Sequence, residues 1–361
     1  MQLKKLTEKH ERRLIETAVK RWRRSVFRRN RKYVSKLPEI RVSAPANLSF
    51  QANYTETIDF LDRFRDVTTS PSTAGRHRIY VDLKPIKTIS VPVAIVLAAE
   101  FHRWSLVRRY TLRVRESHLW APAVRNLLSD LGVFQLLGMR PITAENADDN
   151  FTLTPLMSGQ KTDGFKIDQL QDQFAGVLAG FTKNPEMFAG LMEAVENAIA
   201  HGYPEGYQPR HPFAGHRWWA ASCLDPNKMA LRFFVFDQGA GIPHTLPAAT
   251  FYEQIRARLA QLTRDIFSND SIMLRAALEV GRTRTGLDHR GLGLKRMSDV
   301  VTGAENGYLR ILSGKGEIVY HADEKIETRD HDRHIGGTLI EWSMSADAFT
   351  DKSKDMQNED D

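Results

Sequence analysis

The chain has 361 residues, 42% hydrophobic and 26% charged, ordinary globular values that exclude disorder along the whole length and leave room for two domains plus tails. Its single cysteine, Cys223, excludes an intrachain disulfide and a cysteine-built zinc site. The formal net charge of +7 is unevenly placed, with a dense Lys/Arg run at the start and an acidic, polar stretch, DKSKDMQNEDD, at 351–361.

In chain order, residues 5–36 read as a basic helix or two, with Leu14, Ile15, Val19, Trp22 and Val26 as a rough apolar stripe. The opening stretch, MQLKKLTEKHERRLIE, lacks the apolar core of a signal peptide. A linker with Pro38 and Pro45 follows, so 1–45 is taken as arm and linker. Residues 46–145 carry a compact αβ pattern. RIYVDLK is an alternating strand, ISVPVAIVLAAEFHRWS a turn into an apolar helix, YTLRVRES a second strand, and APAVRNLLSDLGVFQLLG an amphipathic helix. The apolar run VPVAIVLAAEF is too short to cross a bilayer, so no membrane partner and a cytoplasmic location are expected.

A larger pattern occupies 150–346. DQLQDQFAGVLAG and FAGLMEAVENAIAHG are helices, and MALRFFVFDQGAGIP is an apolar strand ending in a glycine turn. A long helical stretch over 250–281 precedes a loop into a helix at GLDHRGLGLKRMSDVV. YLRILSGKG and EIVYHA form a hairpin and GGTLIEWSM a strand. Residues 347–361 read as an acidic disordered tail.

Four segments in this part bear chemistry. Glu193, Asn197 and His201 are spaced i, i+4, i+8, so they share one helix face, with Leu191, Val195 and Ile199 opposite. A mid-helix Asn is a poor helix former, and its amide oxygen suits Mg²⁺. A carboxylate one turn earlier can orient or deprotonate a water. Asp237 ends an apolar strand before Gly239 and Gly241, where a buried carboxylate can accept a hydrogen bond from an exocyclic amine. Gly291 and Gly293 lead into a helix, with Arg290 and Lys295 adding positive charge, an arrangement suited to phosphate. Thr338 follows Gly336 and Gly337 and opens a strand. Singly, each segment also reads as a solvated helix face or a tight turn.

Their order and spacing resemble the four signature boxes of the GHKL ATPase superfamily, which groups histidine kinases, gyrase, a heat-shock chaperone ATPase and MutL. Glu193-x-x-x-Asn197, Asp237-Gln-Gly239-Ala-Gly241, Gly291-Leu-Gly293-Leu and Gly337-Thr338 match position by position. The resemblance implies an α+β Bergerat fold, a mixed sheet covered by helices on one face, binding ATP with Mg²⁺. It makes Asn197 the Mg²⁺ ligand, Asp237 the adenine contact with Thr338 in support, and Gly239 and Gly241 the walls of the base pocket. Gly291 and Gly293 become the phosphate turn, and the stretch from about 245 to 290 an ATP lid. Arg282, Arg284, His289 and Arg290 are its candidate phosphate contacts. Glu193 resembles the general base of hydrolysing members, but kinases of the superfamily also carry Glu here. Glu196 appears beside the Asn in some MutL-like versions. His201 resembles a histidine of kinase-type boxes and equally suits a helix end before Gly202.

The module at 46–145 resembles STAS domains, the anti-sigma-factor-antagonist fold, in YVDLKPIKTISVPVAIVLAAEF and APAVRNLLSDLGVFQLLG. In that family a Ser or Thr before the first helix is phosphorylated. Here Ser90 stands near that place, but the usual Asp-Ser-Ser/Thr-Gly is absent, so the preferred reading is a docking or dimerising module. No phosphoacceptor His on a helical hairpin precedes the ATPase pattern, unlike a sensor kinase. Expected function is therefore an ATPase or kinase-like regulatory switch on a protein partner, with a homodimer left open. A non-hydrolysing ATP/ADP sensor, an anti-sigma-factor-like serine kinase and a nucleic-acid-associated MutL-like ATPase stay as alternatives. Residues 5–36, with Trp22, Phe27 and Tyr33 among the cations, suit either nucleic acid or an acidic partner.

Overall fold

The computed structural model describes residues 37–73, 76–108, 115–137, 139–140, 151–213, 215–249, 252–262, 269–283 and 293–350. The basic arm at 5–36, most of the expected strand YTLRVRES, Arg284, His289, Arg290, Gly291 and the stretch 351–361 lie outside the described residues.

The N-terminal module starts earlier than its sequence suggests. Between Pro38 and Pro45, in the expected linker, β1 (Glu39–Ser43) forms and pairs in parallel with β3 (Arg78–Asp82). β2 (Asn47–Leu48) pairs in parallel with β4 (Thr88–Ile89). Between them runs α1 (Tyr54–Thr69), whose buried Tyr54, Ile58, Leu61, Phe64, Arg65 and Thr68 recur at helical spacing. α2 (Val91–Arg108) is the expected apolar helix, and every residue from Val93 to Ala99 is fully buried. The expected single helix after it is two, α3 (Pro122–Asp130) and α4 (Val133–Leu136), because Gly132 takes φ 75° and turns the chain.

The rest is built on one eight-stranded sheet. In chain order it comprises β5 (Thr152–Leu153), β6 (Met157–Gly159), β7 (Trp218–Asp225), β8 (Ala230–Asp237), β9 (Tyr308–Ser313), β10 (Gly316–His321), β11 (Ile326–Asp330) and β12 (Thr338–Ser345). The spatial order is β11-β10-β9-β12-β8-β7-β5, with β6 also on β7. The expected mixed sheet is a correction: each described pairing in it is antiparallel. Successive strands such as β7–β8 and β9–β10 are joined by turns too short for a parallel crossover.

Helices were expected on one face only; both faces are covered. Trp218, Ala220, Phe233, Val235, Ile340 and Trp342 share a core with α5 (Gly164–Asp172) and α6 (Pro185–Ala200). The alternate residues Trp219, Ala221, Cys223, Phe234, Phe236 and Leu339 share a core with Phe64, Phe101 and Trp104 of the N-terminal module. This double burial explains why β7 and β8 read as near-continuous apolar runs rather than alternating ones. Trp219 crosses the boundary, its indole N–H donating to His102 Nδ1 at 3.2 Å. Burial holds His102 down at about 4, so the ring stays neutral and able to accept.

The expected long helix at 250–281 is likewise two. After the short α7 (Ile242–Thr245) come α8 (Tyr252–Leu262) and α9 (Asp270–Thr283), then α10 (Gly293–Asp299). Leu246, Ile255, Leu259, Met273 and Val280 make a small core of their own. The start of α9 is tied to the sheet: Ser271 N–H and Oγ donate to Asp330 at 3.0 and 2.5 Å, and the Lys315 N–H donates to Asp270 at 2.7 Å. The packed chain also runs past 346, since Phe349 is fully buried and its carbonyl accepts from Thr182 N–H at 2.7 Å. Among the described residues no helix is long and apolar enough to cross a membrane.

Candidate functional site

Helix α6 brings the first two candidate residues together. Asn184 caps it, its side chain accepting the Met187 N–H at 3.0 Å, and Pro185 occupies the first turn. Met187, Leu191, Val195 and Ala198 bury one side, while Glu193 and Asn197 stand one turn apart on the other, partly exposed. The Asn197 amide donates to Glu193 Oε1 at 3.5 Å, and Arg296 of α10 donates to Glu193 Oε2 at 3.3 Å. Gly293 comes from that same helix and lies directly against the pair. A Cβ there would stand 2.4 Å from Glu193 Oε1 and 2.8 Å from Asn197 Nδ2. Glu196 is exposed, off this row. His201 is the helix end: its N–H donates to the Asn197 carbonyl at 2.9 Å and its side chain is exposed.

The second cluster forms at the end of β8. Asp237 is 6% exposed, opposite Thr338 of β12 in register. Its Oδ1 accepts the Gly239 N–H at 2.7 Å, and the Thr338 N–H also reaches the carboxylate. Burial pushes Asp237 up to about 7, while those two backbone donors act in the opposite sense. Thr338 Oγ1 lies 2.9 Å from Ser313 Oγ, which accepts the Ile242 N–H at 2.8 Å. Gly241 has φ 89°, a left-handed value that glycine alone takes without strain. Gly337, at φ 145°, leaves so little room that a Cβ would be 1.8 Å from the Asp237 carbonyl oxygen.

One junction joins the two clusters. The Gly202 N–H donates to the Asn197 carbonyl at 3.1 Å, and the Gly202 carbonyl accepts from Ala240 N–H at 2.7 Å. At Gly239 a Cβ would sit 2.0 Å from that same carbonyl, so the glycine turn seats on the end of α6. Outside the turn lies a cleft of about 320 Å³ lined by Tyr207, Ala240, Pro243, His244, Asp270, Gly314 and His334.

Glu193, Asn197, Asp237, Gly239, Gly241, Gly293 and Thr338 thus meet in two linked clusters. Arg290 and Gly291 lie outside the described residues. Ser90 belongs to neither cluster; it is half-buried, its carbonyl accepting the Ala94 N–H at 3.0 Å where α2 begins. Within the stretch expected as a lid, α8 and α9 are packed elements. Sequence reasoning missed Ser313, Arg296, Tyr203 and His334. Tyr203 accepts the Gln238 N–H at 3.2 Å and donates to the Arg217 carbonyl. His334 Nδ1 accepts the Gly336 N–H at 2.8 Å. Only Ser313 left a signal, as the last residue of a strand before Gly314.

No protein-family model matches this sequence, and comparison with curated proteins gives no match either.

Proposed function

We propose that this chain binds Mg·ATP in a GHKL-type pocket of Bergerat-fold character and serves as an ATP-driven switch, ATPase or kinase-like, acting on a protein partner. The observation that carries the reading is the buried Asp237 carboxylate, fixed at a strand end by backbone donors and joined through Gly202 to the Glu193–Asn197 row. A carboxylate so placed accepts a hydrogen bond from an exocyclic amine of a base. Among the described residues no group of three His, Cys, Asp or Glu gathers to hold an ion unaided. Mg²⁺ keeps its waters and is shared between one or two side chains and substrate phosphates. Asn197 would hold it through its side-chain oxygen, from the partly exposed helix face that it shares with Glu193. Bound there, the ion neutralises phosphate charge.

Glu193 is the group on the chain that would orient or deprotonate a water or an acceptor hydroxyl. It is paired with Arg296, so its release is part of the proposed cycle: arriving phosphates give Arg296 a more highly charged partner and leave the carboxylate to the water. The same ion pair favours a second reading, a sensor that binds nucleotide without turnover because Glu193 stays paired. Mg·ATP binding by calorimetry and phosphate release by the full chain test both. Asp237→Asn is expected to weaken binding by about tenfold or more, and unimpaired binding would overturn the pocket. Phosphate release that Glu193→Ala leaves unchanged would remove Glu193 as the base.

A further inference from the structure

The loop between β11 and β12 carries Gly336 and Gly337 and delivers Thr338 to Asp237. Helix α1 of the N-terminal module holds that loop along its length. The Tyr54 ring stacks on His331 with centroids 3.6 Å apart and planes 12° from parallel. The Tyr54 hydroxyl donates to the Arg333 carbonyl at 3.0 Å. Thr55 Oγ1 donates to Asp332 at 3.1 Å, and Arg333 pairs with Asp59 at 3.1 Å. Nearly two turns further along, the Arg65 guanidinium lies against Gly336, where a Cβ would be 2.6 Å from Nη1 and 2.8 Å from Cζ. Gly336 has φ 88°, so conformation and contact both require glycine.

Arg65 is 2% exposed and does not stand there by accident of surface charge. Glu100 of α2 accepts from its Nε at 2.9 Å, and Asp62 accepts from Nη1 at 3.0 Å. Glu100 in turn pairs with Arg103. A buried, doubly paired guanidinium resists displacement, because moving it would strand charge in the core. It therefore transmits the position of α1 and α2 to the backbone at Gly336, two residues from Thr338.

We infer that α1, with Arg65 at its centre, is the positioning element for the base end of the pocket and couples the N-terminal module to nucleotide binding. This rests on the reading of the pocket given above. Nucleotide seated at Asp237 and Thr338 stabilises the clamped loop, and the clamped loop favours nucleotide. By linkage, whatever binds the N-terminal module and shifts α1 changes nucleotide affinity by the factor with which nucleotide changes the module's affinity for it.

The test uses the full chain, Mg·ATP calorimetry, thermal melting and amide exchange. Arg65→Lys keeps the charge but loses the planar fork; Thr55→Ala with Asp59→Asn breaks two contacts, one at an exposed and one at a half-exposed position, and spares the core. Both are expected to weaken Mg·ATP by about fivefold or more, the low end of ordinary coupling between sites. In the double variant the melting temperature should stay that of the unmodified chain. Saturating Mg·ATP should slow amide exchange across Tyr54–Thr69 in the unmodified chain and slow it less in the variants. If the unmodified chain binds Mg·ATP while α1 exchange is indifferent to it and the double variant binds equally well, the coupling is overturned and the pocket stands. If the unmodified chain does not bind Mg·ATP at all, the pocket itself falls, and the coupling with it.

Discussion

At the Asp237 end of the candidate pocket position is set by backbone: strand register with Thr338, an N–H from Gly239, and glycines with no room for a Cβ. At the Glu193 end it is set by side chains: an amide at 3.5 Å, a guanidinium at 3.3 Å, and a glycine whose near neighbours are the tips of flexible groups. A backbone-built end cannot rearrange without losing sheet, whereas a side-chain-built end can exchange partners within its rotamers. The first suits recognition of an invariant group and the second a site whose contents change during a cycle.

The largest expected effects probe that contrast directly. Gly337→Ala places a Cβ on the Asp237 carbonyl and should cost more than about 4 kcal/mol of stability in denaturant unfolding. Gly293→Ala meets only the ends of Glu193 and Asn197 and should cost about 1–3 kcal/mol. Equal losses would break the comparison. Next in size, Asp237→Asn should weaken Mg·ATP by about tenfold or more, the loss of a charged hydrogen-bond acceptor.

Arg296→Ala should free Glu193. Because Arg296 is half-exposed, stability should change by no more than about 0.5 kcal/mol. Phosphate release at saturating ATP should rise, because Glu193 then needs no release step; a fall would show that the contact Arg296 makes with arriving phosphates outweighs its restraint of Glu193. A further test lies in the pH dependence of stability. Asp237 is held near 7 in the folded chain against about 4 when unfolded. Its contribution is therefore fully present below about 4 and is lost as pH rises through about 7. Asp237→Asn should flatten that part of the unfolding profile, and an unchanged slope would show the carboxyl to be better solvated than its burial implies.

Those residues were legible to different degrees. The strands at β9, β10 and β12 and the helix α6 announce themselves by periodicity and β8 by its apolar run, and the order of Asn197, Asp237, Gly293 and Thr338 indicated residues that the fold does gather into two linked clusters. β7 escaped notice because Trp-Trp-Ala-Ala-Ser-Cys, buried on both faces, lacks alternation. Helix α1 escaped because TETIDFLDRFRD hides Ile58, Leu61 and Phe64 among charges, and a buried arginine such as Arg65 is indistinguishable in sequence from a solvated one. Arg296 and Ser313 depend on contacts across 103 and 25 residues, a separation that local pattern does not encode.

The place of β12 bears on how the chain is made. It is the last strand of the sheet to be synthesised, yet it lies between β9 and β8, near the middle. Until it arrives, the nascent protein holds two partial sheets, each with an apolar edge awaiting the same partner. The closing step pairs Thr338 with Asp237, about a hundred residues upstream, and is of the slow, non-local kind. Biosynthesis therefore leaves a window in which β8 and β9 are exposed to other chains, and completing the Asp237 end of the pocket coincides with closing that window.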